Sequence, residues 1–332
     1  MNEHECRGRG RSRGGFTLVE LLVVIGIIAM VSAIAVPTIF GAVASARNAK
    51  TKAEVDMLHV ALMNYKSEYG SFPPANMSGL WNCQTNKLNT GHAAYKHLVK
   101  IFPRIAEDPS AAGEYPKLAT MSPAQALVFW LSGFYQNPEY PLTNQGAPGS
   151  RQKFFDFDES RLYAASVYFV NCTRVAQTFA PRGSPEAASM SPYPVYFTGH
   201  QSAGLPYVYL DSRCYSNAPV DVFYQAVSTQ GDATRAYPYF NAFPPSNGTW
   251  GQQHMNADTF QLIAPGKDGT YGESVAVFPR GAGVTYQFSF DGSTYVPPYA
   301  DDKSNSAGHL DNITNFADRP LADAIEALKS SK

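Results

Sequence analysis

Glu20 is the only charged side chain between Phe16 and Ala46, a stretch that is otherwise almost wholly apolar. A carboxylate inside a bilayer costs about 2.5–3.5 kcal/mol on insertion scales, so an acid kept there marks a functional position. Its chemistry is that of a buried counter-ion, tolerable once it meets a buried ammonium. Elsewhere Asp156, Asp158 and Glu159 crowd together, and paired acids of this kind serve glycosidases. Three acids within four residues at a strand-to-turn junction read more simply as a solvated edge. His92 and His97 stand five apart, which is not the i,i+4 spacing of a helical metal pair. The chain has no G-x-S-x-G elbow, H-E-x-x-H helix or Walker A loop, and an enzyme is not expected.

The acid must be carried by a helix. About 20 apolar residues cross a bilayer, and this run is long enough. Arg7, Arg9, Arg11 and Arg13 precede it and hold that end in the cytoplasm. A signal peptide would be shorter and cut behind its apolar core, where no suitable small-residue site stands. Beyond Pro37 the helix is expected to continue, with Val55, Leu58, Leu62, Tyr65 and Tyr69 forming one amphipathic stripe. Arg47, Lys50, Lys52, Glu54 and Asp56 populate its other faces. Gly70 should end it, and Pro73-Pro74 forbids its resumption.

The residues Arg13-Gly14-Gly15-Phe16-Thr17-Leu18-Val19-Glu20-Leu21-Leu22 resemble the class III leader junction of type IV pilins and type II secretion pseudopilins. The resemblance implies cleavage after Gly15 by a prepilin peptidase, and methylation of the new N-terminus, Phe16. It implies that Glu20 pairs with the N-terminal amine of a neighbouring subunit, and that Pro37 is the helix-kinking proline. Tyr69-Gly70-Ser71-Phe72-Pro73-Pro74 looks like the turn that follows the pseudopilin helix. Major pseudopilins also bind calcium through a loop L-x-S-x-G-x-D-G followed by D-[DN]-I. The matching positions are Leu262 (through its carbonyl), Asp268 and Asp311, with Asp302 as a further carboxylate. The family's serine falls at Ala264, and the gap between the two halves is long, so the motif equally reads as a turn without its metal.

The expected fold is α+β: residues 1–15 a leader, 16–70 the pilin helix (about 16–38 in the membrane), and 71–332 a head. Within the head, 75–258 is a block larger than the family requires. A short helix is expected near His92–Phe102. Ser122, Pro123 and Gln125 make a capping box for a buried helix through Leu131. Strands are expected at Lys153–Phe157, Leu162–Val170, Val195–Thr198, Tyr207–Asp211, Val220–Ala226 and Thr259–Ile263. Others follow at Val275–Phe278, Thr285–Phe290 and Thr294–Val296, with a last helix from Asp318 to Leu328. Short strands separated by Pro, Gly and Asn favour an antiparallel sheet.

A net charge of −1 gives no reason to expect a nucleic-acid partner. Cys6 would leave with the leader. Cys83, Cys172 and Cys214 remain, and either one disulfide, Cys172–Cys214, or three free thiols fits an odd set. Tyr193, Tyr196, Tyr207, Tyr209, Tyr215, Tyr237, Tyr239 and Trp250 read as a sheet core or as a binding platform. The expectation is a single-pass inner-membrane protein with a periplasmic head. Its partners would be other copies of itself, other pseudopilins, the prepilin peptidase and an inner-membrane assembly platform. The alternatives are a minor pilin or adhesin that binds through the aromatic block, and an anchored periplasmic domain that does not polymerise.

Overall fold

The computed structural model describes residues 17–82, 84–107, 111–137, 139–143, 151–170, 173–186, 191–199, 205–215, 236, 238–243, 251–266, 269, 271 and 312–318. The chain divides into two compact units, 1–46 and 47–332, and the boundary falls inside the first helix.

Helix α1 runs Leu18–Tyr69 without interruption. In the first unit every large apolar side chain from Leu18 to Val43 is exposed, by 42–77%. Such a surface suits lipid or another helix rather than water. Pro37 has no N–H to offer Ala33, yet the helix passes through it. The Thr38 hydroxyl donates to the carbonyls of Ala35 (2.8 Å) and Ile34 (3.3 Å), adding local hydrogen bonds at this weak point.

In the second unit the expected stripe is the buried face: Val55, Leu58, Leu62 and Tyr65 are fully enclosed. Gly70, at φ +72°, closes the helix as expected, its amide donating to Lys66 O at 2.7 Å. A small hairpin, β1 (Trp81–Asn82) with β2 (Lys87–Leu88), leads to α2 (Ala93–Ile101). After the short α3 (Tyr115–Leu118) comes α4 (Pro123–Leu131), opened by the expected capping box between Ser122 and Gln125. β3 (Phe134–Tyr135) pairs with β4 (Arg151–Gln152).

Lys153–Phe157 is not a strand. The amides of Phe154 and Phe155 both donate to Leu131 O, and Phe154 packs against Tyr65 and Tyr69. Burying these rings prevails over forming a ladder. Next, β5 (Leu162–Val170) lies between β6 (Thr173–Pro181) and β7 (Ser191–Tyr196), all antiparallel. β8 (Val208–Asp211) forms one edge of a second antiparallel sheet. After the hairpin β9 (Phe240–Phe243) and β10 (Gly251–His254), this sheet is completed by β11 (Phe260–Ala264) at its centre and β12 (Ile313–Thr314) at its other edge.

The fold is therefore α+β with small antiparallel sheets. The core lies where the second half of α1, α4 and the buried sides of β8 and β11 meet. The expected strands at 220–226, 275–278, 285–290 and 294–296 lie outside the described residues, as does the last helix beyond Asp318.

Candidate functional site

The start of α1 is held by its own side chains. Thr17 donates to Glu20 Oε2 from both its amide and its hydroxyl, each at 2.8 Å. The Glu20 amide returns a hydrogen bond to Thr17 Oγ1 at 3.2 Å. This reciprocal pair has the form of a capping box, in which orphan donors of the first turn are satisfied without another chain. Glu20 is thus held by the first turn of its own helix. The signal was present in the sequence as Thr17-x-x-Glu20. Gly15 and Phe16 lie outside the described residues.

A second cluster fixes the other half of the helix. Glu54, expected on an outer face, is buried at 8% exposure, as is Arg161 at 7%. Arg161 Nη2 donates to both Glu54 oxygens at 2.7 Å, Tyr196 Oη donates to Oε1 at 2.7 Å, and Tyr207 Oη to Oε2 at 2.5 Å. Arg161 Nε also donates to Phe197 O, and its guanidinium stacks 4.2 Å from the Tyr196 ring centroid. Burial and the Glu54 charge push the Tyr207 phenol well up from its ordinary value, so it stays a neutral donor. Glu54 precedes Leu58, Ala61 and Tyr65 by four, seven and eleven residues, helical spacings that put it on the buried face.

The turn after α1 has no ladder to join, and side chains serve it instead. Arg213 Nη2 donates to Phe72 O (3.0 Å), Tyr209 Oη to Pro73 O (2.7 Å) and Trp130 Nε1 to Pro74 O (2.9 Å). The Ala75 amide donates to buried Asp211 at 2.5 Å. Asp211 is held in turn by Arg213 Nε at 2.7 Å. Four successive residues thus have their backbone polar groups met inside the core.

These features place a long apolar helix, with one acid near its start, ahead of a folded head. Residues 10–36 match the prokaryotic N-terminal methylation motif. That motif is the class III leader of pilins and pseudopilins, so the N-terminus is that of a pilin-like, prepilin-peptidase-processed subunit. With the long apolar helix that follows it, the motif fits a membrane-anchored chain. No curated protein and no solved structure matches the chain.

Beyond the methylation motif, the other candidates fall as follows. Leu262 sits fully buried in β11; its carbonyl accepts from the Asn315 amide (3.3 Å), and its own amide donates to Asn315 Oδ1 (2.9 Å). That carbonyl already has a donor, which weakens it as a calcium ligand. Asp268, Asp302 and Asp311 lie outside the described residues. Among the described residues no group of three or more His, Cys, Asp or Glu side chains is placed to hold a metal ion. Asn312 Oδ1 is buried without a partner, although its Nδ2 donates to Tyr239 Oη and Tyr271 O.

Cys214 carries no bridge. It is a free, buried thiol that donates to Asp211 Oδ2 at 3.5 Å, and burial pushes its pKa up. Cys172 lies outside the described residues. Of the aromatic set, Tyr196, Tyr207, Tyr209, Tyr215 and Tyr239 are core residues and Tyr193 is half-buried. Tyr237 and Trp250 lie outside the described residues. Asp158 accepts from Ser160 N and Oγ, and Asp156 pairs with exposed Lys153 at 3.0 Å. His92 caps α2 by accepting from the Ala94 amide, and His97 is buried between Tyr65 and Ser71. These acids and histidines have local structural partners.

Proposed function

We propose that the chain is a structural subunit of a type II secretion pseudopilus or a type IV pilus-like fibre. It is cut after Gly15, methylated on Phe16 and assembled through α1, with Glu20 meeting the N-terminal amine of a neighbour. The observation that carries this reading is the methylation motif at residues 10–36 running directly into a helix whose apolar side chains, from Leu18 to Val43, are exposed. The subunit waits in the inner membrane with its N-terminus cytoplasmic and its head periplasmic. It then joins copies of itself and other pseudopilins through an inner-membrane platform.

The adhesin alternative draws no support from Tyr196, Tyr207, Tyr209, Tyr215 and Tyr239, which line the core, whereas Tyr193 is half-buried. A calcium ion bound by the Leu262 carbonyl, Asp268, Asp302 and Asp311 belongs to the proposal as a stabiliser of the head. Its support is the spacing of the Gly266-Lys267-Asp268-Gly269 sequence and the unpartnered Oδ1 of Asn312, the residue that follows Asp311 in the sequence. Thermal unfolding of the purified protein with calcium or with chelator tests it, and equal midpoints would remove the ion.

The test of the main reading is the mass of the N-terminal peptide of protein taken from membranes, with and without the prepilin peptidase. A peptide beginning at Phe16 with one added methyl, lost without the peptidase, is the expected result. An intact Met1 end would overturn it.

A further inference from the structure

The Arg161 guanidinium is only partly engaged by its buried cluster. Nη2 donates to Glu54 and Nε to Phe197 O, while Nη1 meets no acceptor among the described residues. The side chain is more than nine-tenths buried and locked by those bonds, so Nη1 is held in a fixed place. A Cβ built on exposed Gly199 would lie 3.7 Å from Arg161 Nη1 and 3.7 Å from Lys50 Nζ. The two nitrogens therefore lie within twice that distance of each other, across a gap that the glycine leaves open. Lys50 is exposed and makes no hydrogen bond or ion pair among the described residues. An oxyanion with several oxygens, such as a phosphate, can accept from both cations at once.

The charges around the gap favour an anion. Glu54 balances Arg161, and Lys52 is paired with Asp56. Asp158 is the acid whose charge acts on both Lys50 and Arg161, but its carboxylate accepts from Ser160 N and Oγ and forms no ion pair with either. Arg47, three residues before Lys50 and so on the same side of α1, is exposed and has no acid of its own. Among these groups the positive charges outnumber the negative.

The place of these cations in the chain identifies the anion. From Phe16 to Ala46 the sequence carries one charged side chain, Glu20, and as a helix this stretch is roughly 46 Å long. A bilayer with its headgroups is about 40–45 Å thick. Arg47 and Lys50 are the first cations beyond it. Four residues of chain keep Lys50 within about 14 Å of Ala46 in any backbone conformation.

We propose that Arg161 Nη1 and Lys50 Nζ, facing each other across Gly199, seat the phosphate of an anionic phospholipid in the leaflet from which the head emerges. The inference rests on the membrane-anchored reading of α1 and adds to it a headgroup site within the head. The same guanidinium grips Glu54 of α1 and the Phe197 carbonyl just beyond β7. A bound headgroup therefore braces the joint between the helix and that sheet.

The experiment places the full-length chain in bilayer discs and follows thermal unfolding of the head. One set of discs is pure phosphatidylcholine, whose phosphate is already balanced by its choline; the other is phosphatidylcholine and phosphatidylglycerol in equal parts. Wild type should unfold at a clearly higher temperature with phosphatidylglycerol. Lys50→Gln removes one cation, and Gly199→Leu fills the gap at unchanged charge. Each should erase the difference between the discs, while Lys50→Arg keeps it; comparing discs cancels any change in basal stability. Equal wild-type midpoints in the two discs overturn the inference and leave the anchor standing. An undiminished difference in either Lys50→Gln or Gly199→Leu also overturns it, since the effect would then belong to general surface charge. Inorganic phosphate that raises the midpoint in phosphatidylcholine discs as much as phosphatidylglycerol does would mark a free-anion site and overturn the lipid. A chain that enters neither disc removes the membrane-anchored reading, and this inference with it.

Discussion

Arg161 places a single guanidinium nitrogen, Nη2, 2.7 Å from each carboxylate oxygen of Glu54, 107 positions earlier in the chain. With two tyrosine hydroxyls on the same carboxylate, the acid has a donor for nearly every lone pair that matters. Removing one partner of a buried pair leaves the other charged and unsolvated, which costs about 3–5 kcal/mol. Glu54→Ala should therefore lower the stability of the head by that order. Tyr207→Phe, which removes one hydrogen bond to a charged group, should lower it by about 1.5–3 kcal/mol. Denaturant unfolding of the two variants checks both. Near-equal and small losses would mean that water reaches the cluster.

Gly133 allows β3 and β4 to approach each other. A Cβ there would lie 1.7 Å from Gln152 O, which is backbone and cannot swing aside, and φ is +72°. Gly133→Ala combines an unfavourable backbone conformation with a collision, and each alone costs about 1 kcal/mol or more. The expected outcome is a clear drop in thermal midpoint. The companion change Gly183→Ala, also at positive φ (+86°) but with open space, should cost less.

His97 makes the head acid-sensitive. Its ring lies between Tyr65 Oη at 3.0 Å and Ser71 Oγ at 3.3 Å, edge-on to Trp130. Burial, reinforced by the positive charges of Arg213 and Lys100, lowers its pKa to about 3. The unfolded chain, with an ordinary histidine near 6.5, takes up a proton that the folded state refuses. Stability from this residue is thus complete above about pH 6.5 and declines as pH falls toward about 3, by up to ~1.4 kcal/mol per unit. His97→Gln should flatten that slope even if it lowers stability at neutral pH. Unfolding free energies measured across the window decide it.

Features that depend on near neighbours in the chain were legible without coordinates. The buried stripe of α1, its stop at Gly70 and the capping box at Ser122 and Gln125 each involve residues within a turn or two of one another. The anchoring of the head was not legible. Glu54 meets Arg161, Trp130 meets Pro74 and Asp211 meets Ala75 only because distant segments pack together, and no local pattern announces those pairs. β6 escaped notice because Thr173, Arg174, Gln177 and Thr178 give it a polar sequence. Its pairing with β5 is set by the ladder rather than by alternation. Lys153–Phe157 erred in the opposite sense, since aromatic richness suits a strand and a packed loop equally well.

Glu20 has two roles to separate, because the hydrogen bonds from Thr17 need only an acceptor oxygen whereas a neighbour's amine needs a negative charge. Glu20→Gln keeps the acceptor and loses the charge; Glu20→Ala loses both; Thr17→Ala keeps the charge and frees it from its local donors. If the acid serves assembly, Glu20→Gln and Glu20→Ala should fail alike to form fibre, while Thr17→Ala assembles. If it serves only to start the helix, Glu20→Gln should behave as wild type, and Thr17→Ala should share the defect of Glu20→Ala. N-terminal peptide masses should be taken from all three, so that a defect in processing is not mistaken for one in assembly. Cross-linked subunit ladders from membranes then give the answer. The expected order of assembly is wild type and Thr17→Ala together, well above both Glu20 variants.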